Sequence, residues 1–166
     1  MHKETLKTIE KNAEKIARNV LDGILARPEA RYYLAASEEA LSERISNVVR
    51  DVSGRLGAWL DRSEPRDLLF DRYTDLGATR CRQCMPLEEV AEVLLMIRKE
   101  ICSVIGDRMP EGSACPSDEP ADIKHYVHLL FACITQSIIA GYRNEQAAAA
   151  EIRRRERLLP REALRI

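Results

Sequence analysis

The chain has 166 residues, 45% of them apolar and 32% charged, a composition that fits one domain with a core of its own. Its 26 basic and 27 acidic residues nearly cancel, which argues against general nucleic-acid binding because such binding needs a basic excess. No apolar run reaches the roughly 20 residues of a membrane span, and the amphipathic N-terminus lacks the apolar core of a signal peptide.

The first predicted helix runs from Lys3 to about Arg27. Its apolar residues recur every three or four positions, which is typical of one buried helix face: Leu6, Ile9, Ala13, Ile16, Val20 and Ile24. Pro28 prevents simple continuation of this helix. Ser37 is followed by two glutamates, a pattern that predicts an N-cap with acidic residues in the first turn of a second helix.

The second predicted helix contains two glycines, Gly54 and Gly57, in its second half. Glycine lowers helix propensity, so each position needs a reason. Close packing against another helix and a bound ligand would both explain them, and close packing is the more common cause.

A third helical segment follows Pro65 and places Tyr73, Leu76 and Arg80 on one face. Pro86 then precedes a segment that is apolar almost all round. We therefore predict a central helix that packs on more than one side. Its apolar positions are Leu87, Val90, Ala91, Val93, Leu94, Ile97, Ile101 and Ile105.

The last helical pattern begins near Pro120, after a loop at Gly106–Glu119, and continues for nearly forty residues. This is far longer than the roughly 11–12 residues of an average helix. Its second half is too polar for the interior of a small domain but keeps a thin apolar line through Ala148, Ile152 and Leu159. We expect this half to project and to pair with another chain or lead to a partner, although a solvated tail is the alternative. Without any strand pattern, the chain is predicted to be an all-α bundle.

Arg98 is the residue most indicative of a ligand site, because it interrupts an apolar stripe where an unpaired guanidinium would be costly. It requires an acidic partner or an anionic ligand, unless its stem lies along the surface and its head reaches water. If a pocket exists, we expect Tyr73, Arg80 and Tyr126 to lie near Arg98.

Cys81 and Cys84 form a CxxC pair, which could act as a redox sensor with Cys102 as an alternative partner. A thioredoxin-like role normally requires a βαβ setting, so coincidence is the favoured interpretation. The total of five cysteines is odd and includes Cys115 and Cys133. Reduced thiols and a cytoplasmic location are therefore expected.

His125 and His128 share one face of the last helix and could contribute to a metal site. That face is opposite the buried stripe, so a solvated pair is favoured and no metal is predicted. No catalytic motif, phosphate-binding loop or paired-carboxylate arrangement is present. Enzymatic activity is therefore not expected.

The central region resembles the N-terminal sensor domain family of the RsbT co-antagonist proteins. The similarity covers about Thr5 to Asn144 and rests on short motifs: Tyr73, Leu76–Gly77, Arg80, Pro86–Leu87–Glu88–Glu89–Val90, Leu94–Leu95 with Arg98, the Leu56–Trp59–Leu60 segment, and Gly141–Tyr142. The family often has a glycine near the position of Cys84, which would make the CxxC a local substitution without redox meaning.

The resemblance implies a globin-like helical fold that lacks haem, forms homodimers and serves as a signal-input module in bacterial stress or two-component-type signalling. It implies a sensor domain at residues 1–144 and a helical extension at residues 145–166. Relatives continue into an output domain, whereas this chain ends at Ile166. It is expected either to act through a signalling partner or to be part of a longer protein.

The leading hypothesis is a cytoplasmic, dimeric, non-catalytic sensor without a cofactor, which binds a small ligand or a partner and passes the change through its terminal helix. One alternative is a thiol- or metal-responsive regulator that uses Cys81 and Cys84, or His125 and His128. Another is a structural dimerisation protein without a ligand.

Overall fold

A computed structural model describes residues 2–27, 33, 37–61, 66–106 and 119–158, and these contain six α-helices and no strand. The helices are α1 (His2–Lys11), α2 (Ala13–Leu25), α3 (Glu38–Leu60), α4 (Arg66–Arg82), α5 (Leu87–Gly106) and α6 (Glu119–Leu158). The all-α prediction is confirmed. The predicted turn at residues 63–65, most of the predicted loop, Cys115 and Leu159 lie outside the described residues.

The N-terminal segment forms two helices where one was predicted. The break is at Asn12, whose side-chain amide donates to the Thr8 carbonyl at 2.8 Å. The Asn12 backbone N–H lies 3.1 Å from the carbonyl oxygens of both Thr8 and Ile9. A short amide side chain that bonds to the local backbone competes with the helical ladder and interrupts it here.

Helix α3 begins as predicted, because the Ser37 hydroxyl accepts a hydrogen bond from the Ala40 backbone N–H at 3.2 Å. Glu38 and Glu39 occupy the first turn, where their charge complements the helix dipole. This cap separates α3 from the preceding connection.

Helix α5 is the central helix of the bundle and packs against α1, α2, α4 and α6. The prediction for the segment after Pro86 is therefore confirmed. The core-facing residues of α5 are Val90, Leu94, Ile97, Ile101 and Ile105, each at most 7% exposed. Arg98 lies beside this stripe and is half-buried.

Helix α6 spans 40 residues, and its buried face runs from Ile123 to Gly141. Residues 151–157 are all exposed, so the polar half extends beyond the core. The stretch Ile123–Arg157 is long and apolar enough to cross a membrane by length and composition alone. Core helices of other proteins pass the same test, and six large apolar residues of this helix are buried in the bundle, so the evidence for a span is weak: Ile123, Val127, Leu130, Phe131, Ile134 and Ile138.

Helices α4 and α6 cross at two buried glycines, Gly77 and Gly141. A Cβ atom at Gly77 would overlap the carbonyl oxygen of Ile138, and one at Gly141 would overlap the carbonyl oxygen of Thr74. The two backbones are therefore in direct contact. By contrast, a Cβ at Gly54 would meet nothing within 4 Å, whereas one at Gly57 would lie 3.1 Å from a Leu6 methyl carbon. Close packing thus explains Gly57 and not Gly54.

We expect Gly141→Ala to lower the free energy of unfolding by about 3 kcal/mol, because a methyl group cannot fit against the Thr74 carbonyl without separating the helices. The matched control is Gly54→Ala, which has open space and should raise stability by about 0.5–1 kcal/mol through better helix propensity. Urea unfolding of the two variants measures both effects. Equal stability of Gly141→Ala and the parent would contradict the close crossing.

Candidate functional site

A cavity of about 100 Å³ lies between α3, α4, α5 and α6, beside the glycine crossing. Its wall is mainly apolar: Leu41, Ile45, Val48, Leu76, Met85, Val90, Val93, Leu94, Ile97 and Ile138. Four polar side chains also line it, namely Tyr33, Arg44, Tyr73 and Arg80. An apolar chamber with a few polar groups is the usual form of a small-molecule site.

Tyr73 is held in the cavity wall by a polar network on its far side. Its hydroxyl donates to Asp51 at 2.9 Å, and the same carboxylate pairs with Arg55 at 2.9 Å and with Arg72 at 2.8 Å. The Arg55 guanidinium also lies 5.7 Å from the centre of the Tyr73 ring. Burial raises the pKa of Tyr73, and the Asp51 charge raises it further. The network links α3 to α4 and fixes the aromatic ring.

Arg80 lies in the last turn of α4, and its guanidinium donates to the side-chain oxygen of Gln83 at 2.7 Å. It is also close enough to Tyr33 to act on that hydroxyl electrostatically. Burial raises the pKa of Tyr33 to about 12, with Arg80 lowering it and Glu89 raising it. Tyr33 therefore remains a neutral hydrogen-bond donor at physiological pH.

The structure brings together two of the four residues predicted to bind a ligand. Tyr73 and Arg80 share the cavity, whereas Arg98 and Tyr126 are not among its lining residues. Tyr126 is 38% exposed, and its ring packs edge-on against Trp59 with centroids 6.5 Å apart. Arg98 lies near Cys102, whose pKa is raised by burial and lowered by Lys124 and Arg98.

Tyr33 and Arg44 line the cavity but were not predicted from the sequence. Arg44 lies among the apolar positions Leu41, Ile45 and Val48 of α3, and a charged residue in such a pattern is typical of the solvated side of a helix. Tyr33 lies in the connection before α3, which has no periodicity that could assign it to a face. The only available signal was their spacing next to buried residues.

Cys81 and Cys84 are both free thiols, Cys81 half-buried and Cys84 exposed. Cys84 has a φ of 56°, in the left-handed region that favours glycine. The Met85 N–H bonds to the Arg80 carbonyl at 3.1 Å, and the Cys84 N–H bonds to the Cys81 carbonyl at 2.9 Å. This pair of hydrogen bonds is a Schellman motif, in which Cys84 occupies the position that glycine usually takes.

His125 and His128 are both exposed on α6. Among the described residues, no group of three or more histidine, cysteine, aspartate or glutamate side chains could hold a metal ion. The nearest defined contact of His125 is the Tyr126 ring, with centroids 6.1 Å apart.

The bundle has the fold of a globin domain. It matches the crystal structure of the globin domain of E. coli DosC, form II (ferrous), with a TM-score of 0.62 and 13% sequence identity, covering 82% of this chain and 86% of that chain. Residues 14–157 match the family model of the RsbT co-antagonist protein rsbRD N-terminal domain. The chain therefore belongs to that family, and this family match supports a sensor or signalling input domain. No curated protein matches the chain significantly.

We expect Cys84→Gly to raise the free energy of unfolding by about 1 kcal/mol, because glycine removes the steric cost of the left-handed conformation. Cys84→Ser is the control: it removes the thiol but keeps a Cβ atom, so stability should stay near that of the parent. Urea unfolding under reducing conditions measures both. Destabilisation by Cys84→Gly would show that the thiol itself contributes to the fold.

Proposed function

We propose that this chain is a dimeric, non-catalytic signal-input domain that binds a small ligand in the cavity and transmits the change through α6. Ile138 is the observation that supports this most directly, because it belongs both to the cavity wall and to the glycine crossing. It lies on the same continuous helix as the exposed segment at residues 151–157. A ligand that contacts Ile138 therefore touches the helix that leaves the bundle.

The mechanism is a shift between two packings of α4 and α6. Because their backbones are in contact at Gly77 and Gly141, a change in the cavity cannot be absorbed by side chains at the crossing. The helices have to move relative to one another, and such shifts are typically 1–2 Å. The ligand favours one packing only to the extent that it binds the two with different affinity.

The projecting half of α6 is the proposed dimerisation and output element. Ile152 is 58% exposed, and Ala148 is exposed one turn before it. A second copy of the chain that pairs along this line would bury both residues. The proposed sensor domain thus covers residues 1–144 and the extension residues 145–166, and a cytoplasmic signalling protein receives the output.

Haem is not part of this proposal, because the cavity does not fit it. A volume of about 100 Å³ is below the roughly 150 Å³ that accommodates one benzene molecule, and a porphyrin has four pyrrole rings. Among the described residues, the cavity wall contains no histidine or cysteine, and its candidate iron ligands are Met85, Tyr33 and a Tyr73 hydroxyl that already bonds to Asp51. His125 and His128 are exposed elsewhere on α6.

Each of the three alternative functions would depend on different features of the chain. A thiol-responsive regulator would use Cys81 and Cys84, but Cys84 already has a structural role at the end of α4. The positive charge of the neighbouring Arg82, which could stabilise a thiolate, is paired with Glu145 at 2.8 Å. A metal-responsive regulator would use His125 and His128, which have no third ligand among the described side chains. A structural dimerisation protein would not need the cavity.

We predict that Val48→Phe fills the cavity and abolishes the binding of toluene, a small apolar probe. In the parent, toluene at ten times its Kd should raise the unfolding temperature by about 3–5 °C. Val104→Phe is the matched control, since Val104 is also half-buried against the core but does not line the cavity. Thermal unfolding with and without toluene measures the difference. Equal shifts in the two variants would place the probe elsewhere.

We predict that ending the chain after Asn144 raises the Kd for self-association at least about tenfold, because the apolar line on α6 is lost. Ile152→Ser tests the same contact without truncation, and Gln146→Ser on an exposed neighbouring position is its control. Sedimentation velocity measures the dimer fraction. An undiminished dimer in both altered forms would refute the proposed role of the projecting helix.

A further inference from the structure

Two arginines in the wall of the cavity favour a negatively charged ligand. The exposed Arg44 from α3 and the half-buried Arg80 from α4 both line it, and neither forms an ion pair within the described part of the chain. Arg80 donates one hydrogen bond to the neutral amide of Gln83. Its guanidinium has five N–H donors, so most of them are left for another acceptor.

Three other arginines near the cavity form ion pairs with carboxylates. Arg55 and Arg72 both pair with Asp51, and Arg82 pairs with Glu145. The guanidinium groups around the cavity are thus neutralised, while the two in its wall are not. Of these two, Arg44 is exposed and is hydrated at the edge of the cavity, whereas Arg80 is half-buried. The Arg80 guanidinium is therefore the group in the wall that most favours a negative charge in the cavity.

Asp51 and Glu89 are the acidic groups near the cavity, and neither lines it. Asp51 is already neutralised by two arginines and accepts the Tyr73 hydroxyl. Glu89 lines a smaller neighbouring cavity that also includes Arg27, and its charge acts on the Tyr33 hydroxyl less strongly than that of Arg80. Tyr33 contributes to both cavities and lies within electrostatic reach of Arg80. An anion beside Arg80 would therefore meet a guanidinium and a neutral phenol donor.

The size of the apolar chamber limits the rest of the ligand. The cavity encloses about 100 Å³, less than the roughly 150 Å³ that fully encloses benzene, but it is partly open to solvent. A ring of about six carbon atoms therefore fills the chamber and reaches its opening. Long chains would have to extend out of the chamber.

On the basis of the proposed ligand-binding function, we propose that the site takes a small monocarboxylate, with its apolar body between Val48, Val93 and Ile138 and its carboxylate on Arg80 and Arg44. Arginine is suited to this role, because its planar fork binds both oxygens of a carboxylate. Tyr33 lines the same cavity within electrostatic reach of Arg80, and in this proposal its hydroxyl donates a further hydrogen bond to the carboxylate.

The test compares benzoate with benzamide, which has nearly the same shape but no charge. Isothermal titration of the parent chain should give at least about tenfold tighter binding of benzoate, and the preference should shrink as salt is raised. Arg80→Gln should weaken benzoate binding about tenfold or more and leave benzamide binding unchanged. Arg98→Gln, which removes a half-buried arginine outside the cavity wall, is the control and should change neither affinity.

The outcomes separate this inference from the function on which it rests. If benzamide and toluene bind and benzoate binds no better, the carboxylate preference is wrong and the small-ligand site stands. If none of the three probes binds the folded parent, both the inference and the proposed ligand site are wrong. Benzamide binding by Arg80→Gln also shows that the variant is folded, so that a selective loss of benzoate binding can be assigned to the lost guanidinium.

Discussion

The close contact between α4 and α6 determines how the rest of the bundle is arranged. Gly77 lies against the Ile138 carbonyl and Gly141 lies against the Thr74 carbonyl, so neither position has room for a Cβ atom. Just beyond the crossing, two side-chain contacts tie the end of α4 and the following turn to the same helix. Arg82 pairs with Glu145 at 2.8 Å, and the Tyr142 hydroxyl donates to the Met85 carbonyl at 2.9 Å.

This contact places the cavity next to the helix that leaves the bundle. Tyr73, Leu76 and Arg80 reach the cavity from α4, and Ile138 reaches it from α6, within one turn of the glycines. In the proposed mechanism, this rigid crossing between a small chamber and a long helix would convert a local change in packing into movement of that helix.

Periodicity was sufficient to predict most helices, because burial of an apolar face dominates their stability. It also identified the central position of α5, while the cap at Ser37 was predicted from its residue type and the two glutamates that follow it. It failed at Asn12, where a local side-chain hydrogen bond competes with the helix, and such competition leaves the apolar spacing unchanged. Which glycines permit close helix contact could not be predicted either, since this depends on the partner helix: Gly54 faces open space, whereas Gly141 meets a backbone.

The candidate site was only partly predictable for a related reason. Tyr73 and Arg80 were found because they share a face of one helix, but Arg44 comes from another helix and Tyr33 from an aperiodic connection. Arg98 interrupts the apolar stripe of α5 in the sequence, but in the structure its side chain is half-buried at the edge of the core. The direction of a side chain at the edge of a stripe is set by tertiary packing, which spacing alone does not specify.

We propose that an occupant of the cavity changes the packing of α6 across the glycine crossing. Hydrogen–deuterium exchange of the full chain, with and without saturating toluene, tests this coupling most directly. We expect altered protection of backbone amides in α4 and on both sides of Gly141 in α6, including the projecting segment. Protection confined to α3 and α5, with α6 exchanging as in the free chain, would contradict it.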